Sequence, residues 1–322
     1  MKSVIIGTGS ALPPKILTNA ELAKQIDTSD EWIFSRTGIS QRHICGEGES
    51  AATLAIEAAR NAIESAKLTP QDIEVVIVAN ATPDRSFPSL AADVHKALEI
   101  PACPIFDLNA ACSGFIYNLK MADMFIQTGT AKNILIIGAE VFSRAMNWED
   151  RSTCVLFGDG AGAAVVQAQK DEGYGLIGAE IGGDGKYVDL LKMEGGIGLT
   201  GKKGVPFMNG REVFKNAVRC LAGLVPDFLE KYDLNESDIN WLVPHQANAR
   251  IIEATAKLLE LPMEKVILTV AEHANTSAAS IPLAMDKAAR EGRFKDGDIL
   301  FLEAFGAGFT WGASAIRWKT IN

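Results

Sequence analysis

The sequence predicts an α/β protein made of two similar halves. Three observations carry that prediction. Short β-branched runs alternate with helical ones, the runs read as strands of a buried sheet, and segments of the first half recur in order in the second. Residues 3–6, 75–78 and 134–137 are short apolar runs bounded by turn signals. Residues 51–67, 89–98 and 112–128 carry helical patterns between them. In the last, Phe115, Ile116, Leu119, Ala122, Phe125 and Ile126 recur at helical spacing. Alternation of this kind builds layers around a buried sheet.

The recurrence is seen in four paired segments. Residues 68–78 (LTPQDIEVVIV) resemble 234–243 (LNESDINWLV), and 96–101 (KALEIP) resemble 257–262 (KLLELP). Residues 134–137 (ILII) resemble 299–302 (ILFL), and 162–166 (GAAVV) resemble 312–316 (GASAI). Four matches in order point to a duplicated unit joined near residues 170–174, with halves 1–172 and 173–322. The counterpart of the turn at Cys112 is then the turn at 273–277, so Cys112 and Asn275 are expected to begin matching helices that approach each other.

Bulk composition narrows the function. The 322 residues are 48% hydrophobic and 22% charged, the balance of a globular protein, and the net charge of −9 argues against bulk nucleic-acid or membrane-surface binding. The five cysteines are scattered and form no CxxC pair, which fits neither a disulfide framework nor a zinc site. The N-terminal apolar run is too short for a signal peptide and no stretch is long enough to span a bilayer, so a cytoplasmic protein is expected.

Cys112 is the first candidate for chemistry. It lies in Asn109-Ala-Ala-Cys112-Ser-Gly114, directly ahead of a helix, where the dipole and free N–H groups favour thiolate. Small neighbours leave room for a carbonyl to approach. A lone cysteine among alanines is more often a buried small hydrophobe, so the chemistry needs partners elsewhere. His245 ends the strand-like run 239–243, where α/β proteins build sites. Asn275 precedes Thr-Ser-Ala-Ala and suits a helix N-cap as well as a site. Of the other histidines, His43 and His95 read as surface residues and His273 as a loop residue. The glycine runs at 7–10 and 157–162 lack a dinucleotide or P-loop pattern and read as tight turns. The run Phe305-Gly-Ala-Gly308 leads into the last strand and is placed to aim N–H groups at a site.

Taken together these residues resemble β-ketoacyl-acyl-carrier-protein synthase III of bacterial type II fatty acid synthesis. The resemblance rests on Ala111-Cys112-Ser-Gly114, Pro244-His245-Gln-Ala-Asn248, Asn275-Thr-Ser-Ala-Ala279, 303–312 (EAFGAGFTWG), 30–39 (DEWIFSRTGI) and 157–163 (FGDGAGA), and it covers essentially the whole chain. It implies the thiolase fold, a five-layered αβαβα sandwich of two duplicated halves. It implies that Cys112 takes an acyl group from acyl-CoA, and that His245 and Asn275 bind the thioester carbonyl of malonyl-acyl-carrier protein. The backbone N–H groups of Cys112 and Ala307 would form the oxyanion hole. Trp32 and Arg151 would stack on the CoA adenine with Arg36 near its phosphates, a pairing whose aromatic plane and guanidinium suit a nucleotide. No metal or redox cofactor is implied, and a homodimer is.

An acidic carrier protein needs a local basic face on this acidic chain. Arg211, Lys215 and Arg219 recur every four residues, and Arg250 and Lys257 share a face of the helix after His245; these are the docking candidates. Phe87 matches a position that closes the acyl tunnel near the dimer interface and suggests short starters. Three residues depart from the commonest family pattern: Ala274 and Ala307 stand where glycine is usual, and Ser113 where alanine is frequent. The rival functions are a related condensing enzyme of specialised metabolism and a non-catalytic acyl-CoA-binding protein.

Overall fold

A computed structural model describes residues 1–170, 173–196 and 201–321; Asp171 and Glu172, at the expected join, lie outside the described residues. In chain order the strands are β1 (Lys2–Ala11), β2 (Ile16–Thr18), β3 (Gln41–His43), β4 (Val75–Ala79), β5 (Ile105–Leu108), β6 (Asn133–Val141), β7 (Asp159–Gln169), β8 (Gly175–Gly183), β9 (Leu191–Gly196), β10 (Lys202–Met208), β11 (Trp241–Pro244), β12 (Ile299–Gly306) and β13 (Thr310–Arg317). The helices are α1 (Asn19–Leu22), α2 (Asp30–Thr37), α3 (Ala51–Ser65), α4 (Leu90–Ala97), α5 (Gly114–Gln127), α6 (Gly210–Lys231), α7 (Ala249–Leu258), α8 (Val270–His273) and α9 (Ser280–Arg290). None is long and apolar enough to cross a membrane among the described residues.

Two mixed sheets organise these elements. The first has the order β1-β7-β6-β4-β5 and the second β8-β13-β12-β11. In each, the outer long strand pairs antiparallel with its neighbour, that strand pairs antiparallel with the next, and parallel pairing follows. An isolated parallel bridge from Leu242 to Val266 stands where β5 stands in the first sheet. Even the irregularity repeats: a bulge interrupts β1 between Ile5 and Gly7, and one interrupts the matching pair β8/β13 between Leu176 and Gly178.

Side-chain alternation explains the five layers, because successive strand residues face opposite sides of a sheet. Ile77, Ile134 and Ile136 face inward with Leu300 and Leu302 of the other sheet, and α5 and α9 fill the layer between them. Val76, Val78, Leu135 and Ile137 face outward onto α3 and α4. Leu242 and Phe301 face outward onto residues of α6 and α7, including Phe228 and Ile252.

Two expectations change. The pairing of Val75 with Ile134 corresponds to that of Trp241 with Leu300, so Ile134 matches Leu300 rather than Ile299. The one-residue shift puts the equivalent side chains on the same face. The glycine runs are not tight turns. Gly7 and Gly9 lie inside β1, where an added Cβ would come within 2.4 Å of Ala62 O and 2.3 Å of Ala58 O on α3. Gly160 and Gly162 lie inside β7 against Leu283 and Pro282 of α9. Glycine is required there by the approach of a helix, not by a turn.

Candidate active site

The two turns that start the central helices meet at the middle of the molecule. A single 3₁₀ turn over Ala111–Ser113 leads into α5, and another over Ser277–Ala279 leads into α9. Ala111 (φ 46°) and Ser277 (φ 48°) adopt the same left-handed conformation. Asn109 Oδ1 accepts the Ala111 N–H at 3.1 Å, and Asn275 Oδ1 accepts the Ser277 N–H at 2.8 Å. The helices therefore match as expected, but the residues do so in a different register. Asn275 is the counterpart of Asn109, and Cys112 is the counterpart of Ala278. The turns touch closely: a Cβ on Gly114 would lie 3.3 Å from Ala278 Cβ.

Cys112, His245 and Asn275 line one cavity of about 480 Å³. Its floor includes Phe157, Glu303 and Phe305, and its mouth carries Trp32, Arg36, Arg151, Arg211 and Arg250. A chain of net charge −9 thus gathers four arginines at one opening, which raises the local potential for an anionic ligand.

Each polar group is held by backbone. Asn275 forms a bridge to Phe157, donating its N–H to Leu156 O at 2.9 Å and accepting the Gly158 N–H at 3.1 Å. Because its Oδ1 already accepts from Ser277, its amide nitrogen remains as the donor facing the cavity. His245 follows β11, with its N–H donated to Glu303 O at 2.8 Å and its Nδ1 2.6 Å from Ser280 Oγ. Burial holds its imidazole down to about 3, so the ring is neutral at physiological pH. Next to it, the Gln246 side chain donates to Pro244 O and Ile267 O and accepts the Thr269 and Val270 N–H groups. That amide ties the end of β11 to the segment that leads, through α8, to Asn275.

Cys112 does not behave as its place before a helix suggests. Burial pushes the thiol up to about 12, with the Ser277 side chain opposing and the Glu140 charge adding to the rise. Desolvation by burial outweighs the helix terminus, so the group is a thiol at neutral pH. The Phe305–Gly308 run packs directly on it: a Cβ on Gly306 would lie 2.8 Å from Cys112 N. Thr310 Oγ1 donates to Ala110 O at 2.8 Å and lies 3.1 Å from Ala307 O, joining that run to the cysteine turn. Ala307 itself is half-buried.

Comparison with known proteins places this architecture. The 3-oxoacyl-[acyl-carrier-protein] synthase III family model matches residues 106–185, and the model of that family's C-terminal region matches 229–318. The chain is 54% identical to the beta-ketoacyl-[acyl-carrier-protein] synthase III of Rhizorhabdus wittichii, over 98% of this chain and 99% of that protein. The chain belongs to the 3-oxoacyl-[acyl-carrier-protein] synthase III family. The crystal structure of the Aquifex aeolicus synthase III superposes with a TM-score of 0.94 at 45% identity, covering 98% of this chain and 100% of that one. The Pseudomonas aeruginosa synthase III gives 0.94 at 41% identity, covering all of both chains. As a synthase III family member, this protein has the thiolase fold and is an acyl-transferring condensing enzyme that initiates fatty acid synthesis.

The remaining sequence candidates fall in several places. The Trp32 ring carries the Arg36 guanidinium at 4.6 Å and the Arg151 guanidinium at 5.0 Å. That spacing leaves no room for a base between Trp32 and Arg151, so stacking there requires Arg151 to swing away from Asp27 O, to which it donates at 2.7 Å. Arg211, Lys215 and Arg219 are exposed along α6, and Arg250 and Lys257 along α7. Arg219 is engaged with Tyr187 and Asn216, and Arg250 donates to Ser35 O at 3.1 Å. Phe87 is 81% exposed and does not line the cavity of its own chain. Ala274 adopts φ 58°, ψ −159°, a region nearly reserved for glycine, at a strain of about 1–3 kcal/mol. His273 lies buried in α8, not in a loop, with its ring edge-on to that of His43 at 5.9 Å. The sequence reading did not single out Ser280, Gln246, Glu303 or Thr310, although each falls in or beside a motif that it used.

Proposed function

We propose that Cys112 accepts an acyl group from acyl-CoA and that the acyl-enzyme condenses with malonyl-acyl-carrier protein to give a 3-oxoacyl-acyl-carrier protein, CoA and carbon dioxide. The observation that carries this reading is the convergence of Cys112, His245 and Asn275 on one cavity whose mouth presents Trp32 and four arginines. Cys112 Sγ attacks the thioester carbonyl, the backbone N–H groups of Cys112 and Ala307 hold the oxyanion, and CoA leaves with the thiol proton. Malonyl-carrier protein then loses carbon dioxide. The charge from the broken carbon–carbon bond collects on the thioester oxygen, where His245 and Asn275 each offer one N–H. The enolate carbon attacks the acyl carbonyl and expels the Cys112 thiolate, which takes up a proton. Electrons balance without a redox cofactor or a metal.

Trp32, Arg36 and Arg151 hold the nucleotide end of CoA in this reading. Arg211, Lys215, Arg219, Arg250 and Lys257 form the basic face for the carrier protein, and Phe87 reaches the acyl tunnel of the second copy in a cytoplasmic homodimer. Residues 1–172 carry the nucleophile and 173–322 the two donors.

Incubation with acetyl-CoA followed by peptide mass mapping is expected to place one acetyl group on Cys112. His245→Ala is expected to keep that acylation and to lower malonyl-carrier-protein decarboxylation by about 100-fold or more. Absence of acetyl-Cys112, or wild-type decarboxylation in His245→Ala, would overturn the assignment.

A further inference from the structure

We propose that Ser280 is a positioning residue that fixes the tautomer of His245, keeping the ring proton on Nε2 and aimed into the cavity; this deepens the reading of His245 as a hydrogen-bond donor to the malonyl thioester. A neutral imidazole carries one N–H, and which nitrogen bears it decides whether the ring donates or accepts at the reacting oxygen. His245 is neutral because it is buried. Its Nδ1 stands 2.6 Å from Ser280 Oγ.

The direction of that bond follows from where the hydroxyl proton can go. Ser280 Oγ also receives the Gln246 N–H, at 3.3 Å, and the Gln246 peptide is fixed by the four hydrogen bonds of its side chain. A hydroxyl has one proton. Its oxygen has two lone pairs and accepts from Gln246 with one of them, but its proton has a single acceptor within reach among the described residues, Nδ1, and would be left buried and unpaired if Nδ1 donated instead. Nδ1 is thereby an acceptor, and the imidazole proton resides on Nε2. The same hydroxyl restrains the ring, since Ser280 begins a helix in which eight of the first nine residues, all but Lys287, are buried.

The duplicated scaffold supplies an internal control. Counting from Asn109 and Asn275, Gly114 and Ser280 stand at the same position; counting from Val75 and Trp241, so do Ala79 and His245. In the cysteine half these positions crowd each other, a Cβ on Gly114 falling 2.7 Å from Ala79 Cβ. The scaffold therefore brings this pair of positions together in both halves. The first half fills them with the smallest residues, and the second with a serine and a histidine that bond.

The tautomer can be read directly. In full-length protein labelled with [15N]histidine, the His245 signals are those absent from His245→Gln. The expected pattern is a protonated Nε2 and an unprotonated, hydrogen-bonded Nδ1 throughout the neutral range. A protonated Nδ1 would overturn the proposal with no variant needed. Ser280→Ala is expected to lose that fixed pattern, to slow malonyl-carrier-protein decarboxylation about tenfold, and to acetylate Cys112 from acetyl-CoA within twofold of the wild-type rate. Equal loss of both half-reactions, or an unchanged His245 spectrum, would reduce Ser280 to a packing residue. The spectrum is independent of the mechanism: wild-type decarboxylation in His245→Ala would remove the donor role proposed for His245 and leave the tautomer assignment intact.

Discussion

Cys112 sits where two local effects oppose each other. The start of α5 favours a negative sulfur, yet the cavity removes water from it, and the buried Glu140 adds like charge. Burial prevails and leaves the thiol protonated, raised to about 12. The sign of the pH dependence follows. The thiolate fraction is small at pH 7 and grows about tenfold per pH unit until the thiol titrates. Alkylation of Cys112 by iodoacetamide, followed by peptide mass mapping, is therefore expected to rise steadily from pH 6.5 to 9 without levelling. A plateau below pH 8 would mean that the helix terminus dominates after all.

At the scale of elements, the closeness of α3 to β1 decides where glycine is obligatory. A Cβ on Gly9 would fall 2.3 Å from both Ala58 O and Ala62 N, which are backbone atoms that cannot rotate away. Gly9→Ala is expected to destabilise the fold by about 1–3 kcal/mol in urea unfolding. Gly223, inside α6 with open space around its Cβ position, is the opposite case. Gly223→Ala is expected to stabilise by about 0.5–1 kcal/mol; equal effects of the two substitutions would refute the packing argument. The same contrast explains what was legible in the chain. Helix and strand runs, and the order of the repeated segments, follow from apolar periodicity and could be read directly. The glycines of β1 and β7 looked like turns because glycine marks both a turn and a close approach, and only the packing partner distinguishes them. The shift from Ile299 to Leu300 likewise needed the pairing register.

Across the whole molecule, two sheets and two central helices seal a site that draws on both halves. Cys112 and His245 were legible because each lies at a strand-to-helix junction, a place that sequence periodicity marks, whereas Asn275 follows the short helix α8 and was legible from the small-residue helix start after it. The contact between His245 and Ser280 was not, since the two are brought together only when β11 packs on α9. Sealing has an electrostatic consequence. Glu303, buried on β12 at the cavity floor, is raised by desolvation from the ordinary glutamate value of 4.5 to about 8, and Glu140 to about 7. His245 and His273 are lowered by burial to about 3 and 4. For the carboxyls the folded state holds a proton that the unfolded chain releases above 4.5, so their stabilisation is lost as pH rises toward 8. For the histidines the unfolded chain takes up a proton below 6.5 that the fold excludes, so their stabilisation is lost as pH falls below that value. These four groups offset one another between about pH 4.5 and 6.5, and above pH 7 Glu303 acts alone. Stability should then fall by up to about 1.4 kcal/mol per pH unit between pH 7 and 8. Glu303→Gln keeps the shape of the side chain and cannot ionise. Its urea unfolding free energy is expected to decline less steeply than that of the wild type from pH 7 to 8, and parallel declines in the two proteins would show that another group carries the alkaline loss.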